Sequence, residues 1–501
     1  MDYLSVKDIV LTTINAKWIH PSLALRLLKA NLGSLEDRCE ILEFNLRQML
    51  AEKTQPLLDA KPRILGISVS IWNHLATIEL LKELEKSWLL KPFVVLGGPE
   101  VSHLPQDAEI FKYADYVIRG EGETAFRQLC EEILSSGNYI NRADTQRPGK
   151  HITGSQIKLN EIKSAYHLYT DEDLQKKLIY VESCRGCPFD CEFCLSSVKE
   201  ESGAVRDFDI DQFLAQMELL IRRGAKTFKF LDRSFNINIP RSLQIIEFFL
   251  EKINNYSRFP VPFVVHFEMI PSNFPPELIE ALARFPPGTL RLEIGIQTLN
   301  AETASLINLC GGKERRDDPQ KLLETLSALR KKTNAIIHAD LIAGLPGESL
   351  ESFGEGFDRL WLALCDTNTT KAVCKDEAAV TVKVTGAEIQ LGILKLLPGA
   401  PVTRHIEKYK MHFDETPPYE IKETSSVCAD DLSRIKNFAR FWELIVNRGL
   451  LPDWKVKEMF GKESVFRKFM TLSDKLLAYF GKNWGIDKNE LNVKLKNDFL
   501  F

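Results

Sequence analysis

Leu178-Ile179-Tyr180-Val181-Glu182-Ser183-Cys184-Arg185-Gly186-Cys187-Pro188-Phe189-Asp190-Cys191-Glu192-Phe193-Cys194 is an apolar strand that runs straight into four cysteines within eleven residues. The other six of the ten cysteines, Cys39, Cys130, Cys310, Cys365, Cys374 and Cys428, are scattered over the 501-residue chain. Ten are too few for a disulfide scaffold, and a cluster in a reducing compartment points to metal or redox chemistry. Cys187-x3-Cys191-x2-Cys194 puts three thiolates on one loop, enough to hold three irons of a cubane cluster and leave the fourth open to a ligand. That corner suits a small molecule that chelates through an amine and a carboxylate. The competing reading is a zinc knuckle pairing Cys184-x2-Cys187 with Cys191-x2-Cys194. Only three residues separate those pairs, whereas common zinc modules place about 12 or more between them. On the cluster reading Cys184 is a spare thiol.

An alternating series continues from this point. Its later strands are expected at Thr227–Leu231, Phe263–Phe267, Leu290–Ile296, Ile336–Ile342 and Ile389–Leu394, with Pro260 and Pro262 just ahead of the second of these. Six strands with intervening helices over about 220 residues suit a partial (β/α)6 barrel, a fold that builds its sites at the carboxyl ends of the strands. Residues 367–387 lack a core pattern and read as an inserted surface loop. Beyond about 425 the pattern is helical, as in Phe438-Ala439-Arg440-Phe441-Trp442-Glu443-Leu444-Ile445-Val446.

Residues 8–135 also alternate. Apolar runs at Ile9-Val10-Leu11, Ile64–Val69, Phe93–Leu96 and Tyr116–Ile118 are separated by helical patterns, and glycines follow the strands at Gly97-Gly98 and Gly120-Glu121-Gly122. That order reads as a doubly wound, Rossmann-like α/β domain, whose ligand lies outside the carboxyl ends of its strands. Residues 136–172 are polar and read as a linker or weak surface hairpin. The expected organisation is therefore 1–135, a linker at 136–172, the barrel at 173–405 and a mainly helical domain at 406–501.

Composition sets bounds on function. The chain is 44% hydrophobic and 27% charged with a net charge of −4, which excludes a strongly basic nucleic-acid binder. From Arg434 onward, however, 14 Lys and Arg face 8 Asp and Glu, a net of +6, leaving −10 on the rest. Such a tail hints at an anionic partner or is a solvated helical face. No run approaches 18 apolar residues, so no membrane span or membrane partner is expected. The amino terminus lacks the basic and apolar regions of a signal peptide; the chain reads as cytoplasmic.

The cysteine loop, with Ser183 and Arg185-Gly186 ahead of it, resembles the signature of radical S-adenosylmethionine (SAM) enzymes, and the arrangement over residues 8–400 resembles their large cobalamin-binding class. The resemblance implies that Cys187, Cys191 and Cys194 bind a [4Fe–4S] cluster, with Phe193 beside the adenine of SAM. Phe230-Leu231-Asp232-Arg233-Ser234-Phe235-Asn236 is similar to the family's second-strand motif, with Asp232 near the methionine amino group. Glu293-Ile294-Gly295-Ile296-Gln297-Thr298 matches the fourth-strand motif, with Glu293 and Gln297 facing SAM or substrate. Asp340–Glu348, including Leu345, resembles the fifth-strand segment beside the adenine. Gly97, Gly98 and Val101, then Gly120, Glu121 and Gly122, resemble the cobalamin loops. Ser68, Ser70, Trp72 and Asn73 would face the lower side of the corrin, and Trp18, His20 and Pro21 the same crevice.

The D-x-H-x-x-G motif is absent, so the resemblance implies cobalamin with no protein histidine on cobalt; His20, His74 and His103 are expected to be satisfied polar histidines. The helical tail resembles an extra carboxyl-terminal domain found in one branch of the class. The activity implied is methylation of an unactivated carbon, with a 5′-deoxyadenosyl radical removing hydrogen and methylcobalamin, held over the barrel mouth, supplying the methyl group. Two SAM molecules are used per turnover, and an electron donor such as flavodoxin or ferredoxin is needed. No motif names the substrate, a small molecule or RNA; the +6 tail permits RNA, such as tRNA, or a phosphorylated small molecule. A non-methylating rearrangement or cyclisation on the same cofactors is the runner-up. A non-catalytic Fe–S or zinc protein that binds RNA is the reading from another class.

Overall fold

The computed structural model describes residues 7–88, 90–136, 147, 149–198, 205–255, 263–308, 318–365, 373–375, 381–383, 386–451, 453–461 and 463–498. Two compact units emerge: residues 1–184 with 206–229 and 416–418, and residues 185–205, 230–415 and 419–501.

The first unit is built on a six-stranded sheet of β1 (Ile9–Asn15), β2 (Cys39–Asn45), β3 (Ile64–Ser68), β4 (Phe93–Gly97), β5 (Tyr116–Arg119) and β6 (Lys150–Thr153), in the order β2-β1-β3-β4-β5-β6. Every pairing is parallel. Parallel strands need crossovers, supplied by α1 (Leu23–Ala30), α2 (Leu50–Ala60), α3 (His74–Ser87), α4 (Pro99–His103) and α5 (Glu123–Ser135). Helices cover both faces. Leu80, Leu81 and Leu84 of α3 join Val10, Leu65 and Val94 in one core, while Leu25 of α1 and Phe126 and Cys130 of α5 join Ile9, Leu11 and Val95 in the other. The doubly wound expectation holds. Two strands go beyond it, however: β2, and β6 inside the stretch read as a linker or hairpin. β6 is no hairpin, because it runs parallel to β5 from Tyr116–Lys150 to Arg119–Thr153. Helix α6 (Asp171–Lys176), opened by a capping box on Thr170, leads to the second sheet.

That sheet contains β7 (Ile179–Val181), β8 (Thr227–Phe230), β9 (Val264–Met269), β10 (Leu290–Gln297), β11 (Ile336–Ala343) and β12 (Gly386–Ile393), in the order β12-β11-β10-β9-β8-β7. Six strands in sequential order, separated by α7 (Ile210–Arg222), α8 (Ile239–Asn255), α9 (Pro276–Ala283), α10 (Ala301–Leu306), α11 (Pro319–Lys332) and α12 (Leu350–Leu364), match the partial barrel expected. Strands β9 to β12 pair in parallel. Leu290, Leu292, Ile294 and Ile296 alternate with less buried neighbours along β10, so one face meets the helices and the other the lumen.

Pro260, Pro262 and most of 367–387 lie outside the described residues. The described backbone there forms an antiparallel hairpin of Val373–Lys375 with Thr381–Lys383, and β12 starts at Gly386, so the inserted loop is shorter than expected. After a second small hairpin, His412–Phe413 with Ile421–Glu423, the chain becomes helical: α13 (Ala429–Trp442), α14 (Asp453–Phe460), α15 (Val465–Phe480) and α16 (Lys488–Asp498). Phe438 and Trp442 of α13 and Phe466 and Phe469 of α15 enclose Phe357 of α12 in an aromatic cluster. Among the described residues no helix is long and apolar enough to cross a membrane.

Candidate active site

The cysteine loop leaves β7 through Gly186, whose φ of +96° is open to glycine. Cys187, Cys191 and Cys194 are partly exposed and not in disulfides. Cys187 Sγ lies 3.5 Å from the hydroxyl of Ser234, just past β8. Between the second and third cysteines sits Glu192, only 3% exposed. Its amide donates to Ile307 (3.0 Å) and its carbonyl accepts from Val402 (2.9 Å). Its carboxylate takes His405 Nε2 at 2.8 Å and the Arg404 guanidinium. His405 Nε2 also lies 3.1 Å from the carbonyl of Leu306. The loop is thus stitched to the end of α10 and to residues 401–405, and a charged residue between two clustered cysteines was the one sign of this in the sequence. Three partly exposed thiols on an anchored loop fit a cluster that takes one thiolate per iron. Such thiolates need not converge on one point, and among the described residues no three His, Cys, Asp or Glu do so.

Phe193 helps to line a pocket of about 580 Å³ with Ile342 of β11, Leu391 and Ile393 of β12, and Leu394 and Lys395 beyond it. This joins the residue expected beside an adenine to the fifth-strand segment expected there. Leu345 of that segment is fully buried and so supports the turn rather than facing the pocket. Asp232 is a buried carboxylate, 1% exposed. The rest of its motif is scaffold: Phe235 stacks on Phe267 at 3.9 Å, and Asn236 exchanges bonds with Ile270 and donates to the carbonyl of Asn273. Glu293 Oε2 lies 3.1 Å from His266 Nε2. Gln297 has a φ of +66°, rare for a residue with a side chain, and the register with β11 shifts there. Gly295 permits this, because a Cβ on it would stand 2.4 Å from Gln297 Nε2. Strain held at a strand end is a mark of a site.

Below this bend Glu348, 2% exposed, accepts from Thr298 Oγ1 at 2.6 Å, while its other oxygen is buried without a hydrogen-bond partner among the described residues. Burial pushes its carboxyl from 4.5 up to about 7, and the Thr298 bond only partly opposes this. Between pH 4.5 and 7 the unfolded chain has released this proton and the folded chain still holds it. Stability therefore falls as pH rises through that window, by about 3 kcal/mol. Urea midpoints measured across it should show the decline in wild type and a flatter profile in Glu348→Gln. Identical profiles would refute the assignment.

In the first unit, Trp18 after β1 and Trp72 after β3 are about half exposed, 46% and 50%, at the ends of adjacent strands. The glycine loops complete this edge. Gly98 has a φ of +103°, and a Cβ there would stand 2.6 Å from the carbonyl of Val69; Gly120 has a φ of +78°. Ser68 is partly buried and Ser70 is 6% exposed. Asn73 and Val101 are fully buried, a correction to their expected place as contacts. The Asn73 amide donates to the carbonyl of Ile14 and accepts from the amide of Ser70, so it shapes the loop. Glu121 likewise turns inward, to Arg206 and to the amide of Ile157 at 2.9 Å. His20 pairs with the Tyr180 hydroxyl at 2.7 Å and His74 with Glu100 at 2.8 Å. Both are the satisfied polar histidines expected. Burial, then Lys17 and Lys229, lower the pKa of His20.

The radical SAM superfamily model matches residues 181–360, and the B12 binding domain model matches residues 9–130. The chain thus carries one segment that matches the radical SAM superfamily and another that matches a B12 binding domain. A 2-(S-pantetheinyl)-carbapenam-3-carboxylate methyltransferase of Streptantibioticus cattleyicolor is 30% identical over 204 residues, 37% of this chain and 29% of that protein. The cobalamin-dependent radical SAM methyltransferase TokK of Streptomyces tokunonensis is 24% identical over 337 residues, 64% of this chain and 48% of that one. The chain spans less than half the length of either relative. Among solved structures, the radical SAM methyltransferase TsrM of Kitasatospora setae, with cobalamin and a [4Fe-4S] cluster bound, superposes with a TM-score of 0.55 at 17% identity. It covers 80% of this chain and 75% of that one, a likeness of fold.

Proposed function

We propose that the protein is a cobalamin-dependent methyltransferase of the radical SAM type, acting on an unactivated carbon of a small molecule. Cys187, Cys191 and Cys194 would hold a [4Fe–4S] cluster, the Phe193 pocket would take the adenine of SAM, and Trp18, Trp72 and the glycine loops would bound cobalamin. When bound, these groups supply hydrogen-atom removal from the substrate and a methyl group to replace it. The chain's own part is placement: Glu192 fixes the cysteine loop, Asp232 offers a buried carboxylate to an ammonium, and the glycines let backbone approach a wide ring. The observation that carries the reading is one chain holding both an anchored three-cysteine loop at a barrel strand end and two half-exposed tryptophans beside glycine loops at the strand ends of a doubly wound sheet.

The basic tail supports RNA less than its charge suggests. Arg434, Lys436, Arg448, Arg467 and Lys468 each have an acidic partner. A cytoplasmic setting with flavodoxin or ferredoxin as electron donor suits a cluster that must be reduced. The test is anaerobic reconstitution with iron, sulfide and hydroxocobalamin, followed by reduction in the presence of SAM. About four irons and one cobalt per chain, with release of 5′-deoxyadenosine and S-adenosylhomocysteine, is the expected result. Iron without cobalt, or no SAM cleavage, would overturn it.

A further inference from the structure

The pocket beside Phe193 is not built by the barrel alone. Phe193, Ile342 of β11 and Leu391 and Ile393 of β12 line it together with Glu420, Lys436 and Ala439, which lie beyond the last barrel strand. β12 ends the second sheet, and an edge strand needs cover. The carboxyl-terminal part of the chain supplies it. The Leu396 amide donates to the carbonyl of Tyr419 and the Ile421 amide to that of Leu394, both at 2.9 Å. The Asn447 side chain donates to the carbonyl of Ile389 at 3.0 Å. The first two bonds flank Glu420 and hold its backbone beside Lys395. On α13, Leu432, Ile435, Phe438 and Trp442 form the buried stripe. Lys436 and Ala439, three positions apart and half-buried, share the face next to it.

The polar groups of this wall are open to a ligand. Lys436 Nζ lies 2.8 Å from Glu420 Oε2, with the two side chains 37% and 26% exposed. Among the described residues this is the only polar contact that either side chain makes. An ammonium has three donors and a carboxylate two acceptor oxygens, so both keep capacity. Lys395, which also lines the pocket, has no side-chain partner among the described residues. An aromatic and aliphatic lining is thus combined with one carboxylate beside two ammonium groups. Adenine complements that set. Its faces are apolar, its 6-amino group donates and its ring nitrogens accept. A carboxylate suits the amino group and an ammonium the ring nitrogen beside it. An anionic group would meet Glu420 as well as the lysines, and a wholly apolar one would leave all three charges without a new partner.

We propose that the carboxyl-terminal domain completes the SAM site, with Glu420 and Lys436 recognising the edge of adenine. The inference rests on the radical SAM reading above and adds to it the residues that select the base.

The test uses full-length protein reconstituted with iron–sulfur cluster and cobalamin, and it measures binding rather than turnover. Calorimetry gives dissociation constants for adenosine and for purine riboside, which lacks only the 6-amino group. Wild type should bind adenosine about tenfold more tightly, the worth of one hydrogen bond to a charged group, and SAM should displace it. Glu420→Leu should bring the ratio of the two constants near one, a selective change that general damage to the pocket would not produce. Lys436→Met should weaken SAM binding about tenfold with iron and cobalt content unchanged. Equal constants in wild type, adenosine that binds alongside saturating SAM, a wild-type ratio in Glu420→Leu, or unchanged SAM affinity in Lys436→Met would each overturn the proposal. Should Glu420→Leu fail to fold, the wild-type ratio and Lys436→Met decide. Failure of the functional reading shows separately, as wild-type protein that releases no 5′-deoxyadenosine when reduced with SAM, whatever its preference between the nucleosides.

Discussion

Cys191→Ala protein, reconstituted anaerobically beside wild type, should lose nearly all its iron, from about four per chain to below one, and SAM cleavage with it. Cys187→Ala and Cys194→Ala should behave alike, whereas Cys184→Ala should keep its iron. The asymmetry follows from the spacing Cys187-x3-Cys191-x2-Cys194, which leaves Cys184 outside the triad. Glu192, between Cys191 and Cys194, bonds to Ile307, Val402, Arg404 and His405 through groups that involve no sulfur. The loop therefore keeps its course when a single thiol is removed, and the loss reports on the ligand rather than on folding. Far-UV circular dichroism should be unchanged. Iron lost equally from Cys184→Ala would mean that four sulfurs share the site, which returns the paired-cysteine zinc arrangement to contention.

The parts of this molecule that could be read in the sequence are those whose cause is local. A continuous apolar run such as Ile64–Ser68 is buried on both faces, and burial on both faces is what such a run signals. Strands β2 and β6 carry no such mark. Each lies at an edge of the first sheet, where one flank is solvated, and Glu40, Glu43 and Asn45 or Lys150 and Thr153 interrupt the pattern. Their place is settled by backbone pairing with β1 and β5. The cysteine triad was legible because three ligands on one loop must be near in sequence. The groups that hold it were not: Glu192 and His405 are 213 positions apart, and no local preference announces such a pair. Asn73 and Val101 show the converse error, since a position in a ligand-edge loop does not say which side chains turn inward.

Arg26→Met should destabilise the first unit by about 3 kcal/mol, at the low end of the range for removing one partner from a buried ion pair. Arg26 sits on α1 with its side chain 5% exposed. One guanidinium nitrogen donates to Glu43 of β2 at 2.8 Å and to the carbonyl of Ser22 at 2.9 Å; the other donates to Asp173 of α6 at 2.8 Å. The group also stacks over Tyr169, 4.7 Å from the ring centre. One side chain thus ties the first helix, an edge strand and the helix that leads to β7. Methionine fills much of the volume but leaves two carboxylates without their shared cation. They keep partial cover, Glu43 from Ser22 and Asn15, and Asp173 from Lys177 and Thr170, and this holds the cost down. Burial alone would raise the Asp173 carboxyl, but Lys177 and Arg26 hold it below the usual 3.8. Its ionised form therefore stabilises the fold above that pH, and the contribution is lost as pH falls through the lowered value. The deficit of the variant should be full at neutral pH and shrink on strong acidification. Urea midpoints, with hydrogen exchange of residues 23–30 and 171–176 to localise the effect, measure this. Adding Glu43→Gln and Asp173→Asn should recover part of the loss, because neutral amides tolerate burial better than unpaired carboxylates. A variant as stable as wild type at neutral pH would mean that Ser22, Asn15 and Lys177 satisfy both carboxylates unaided.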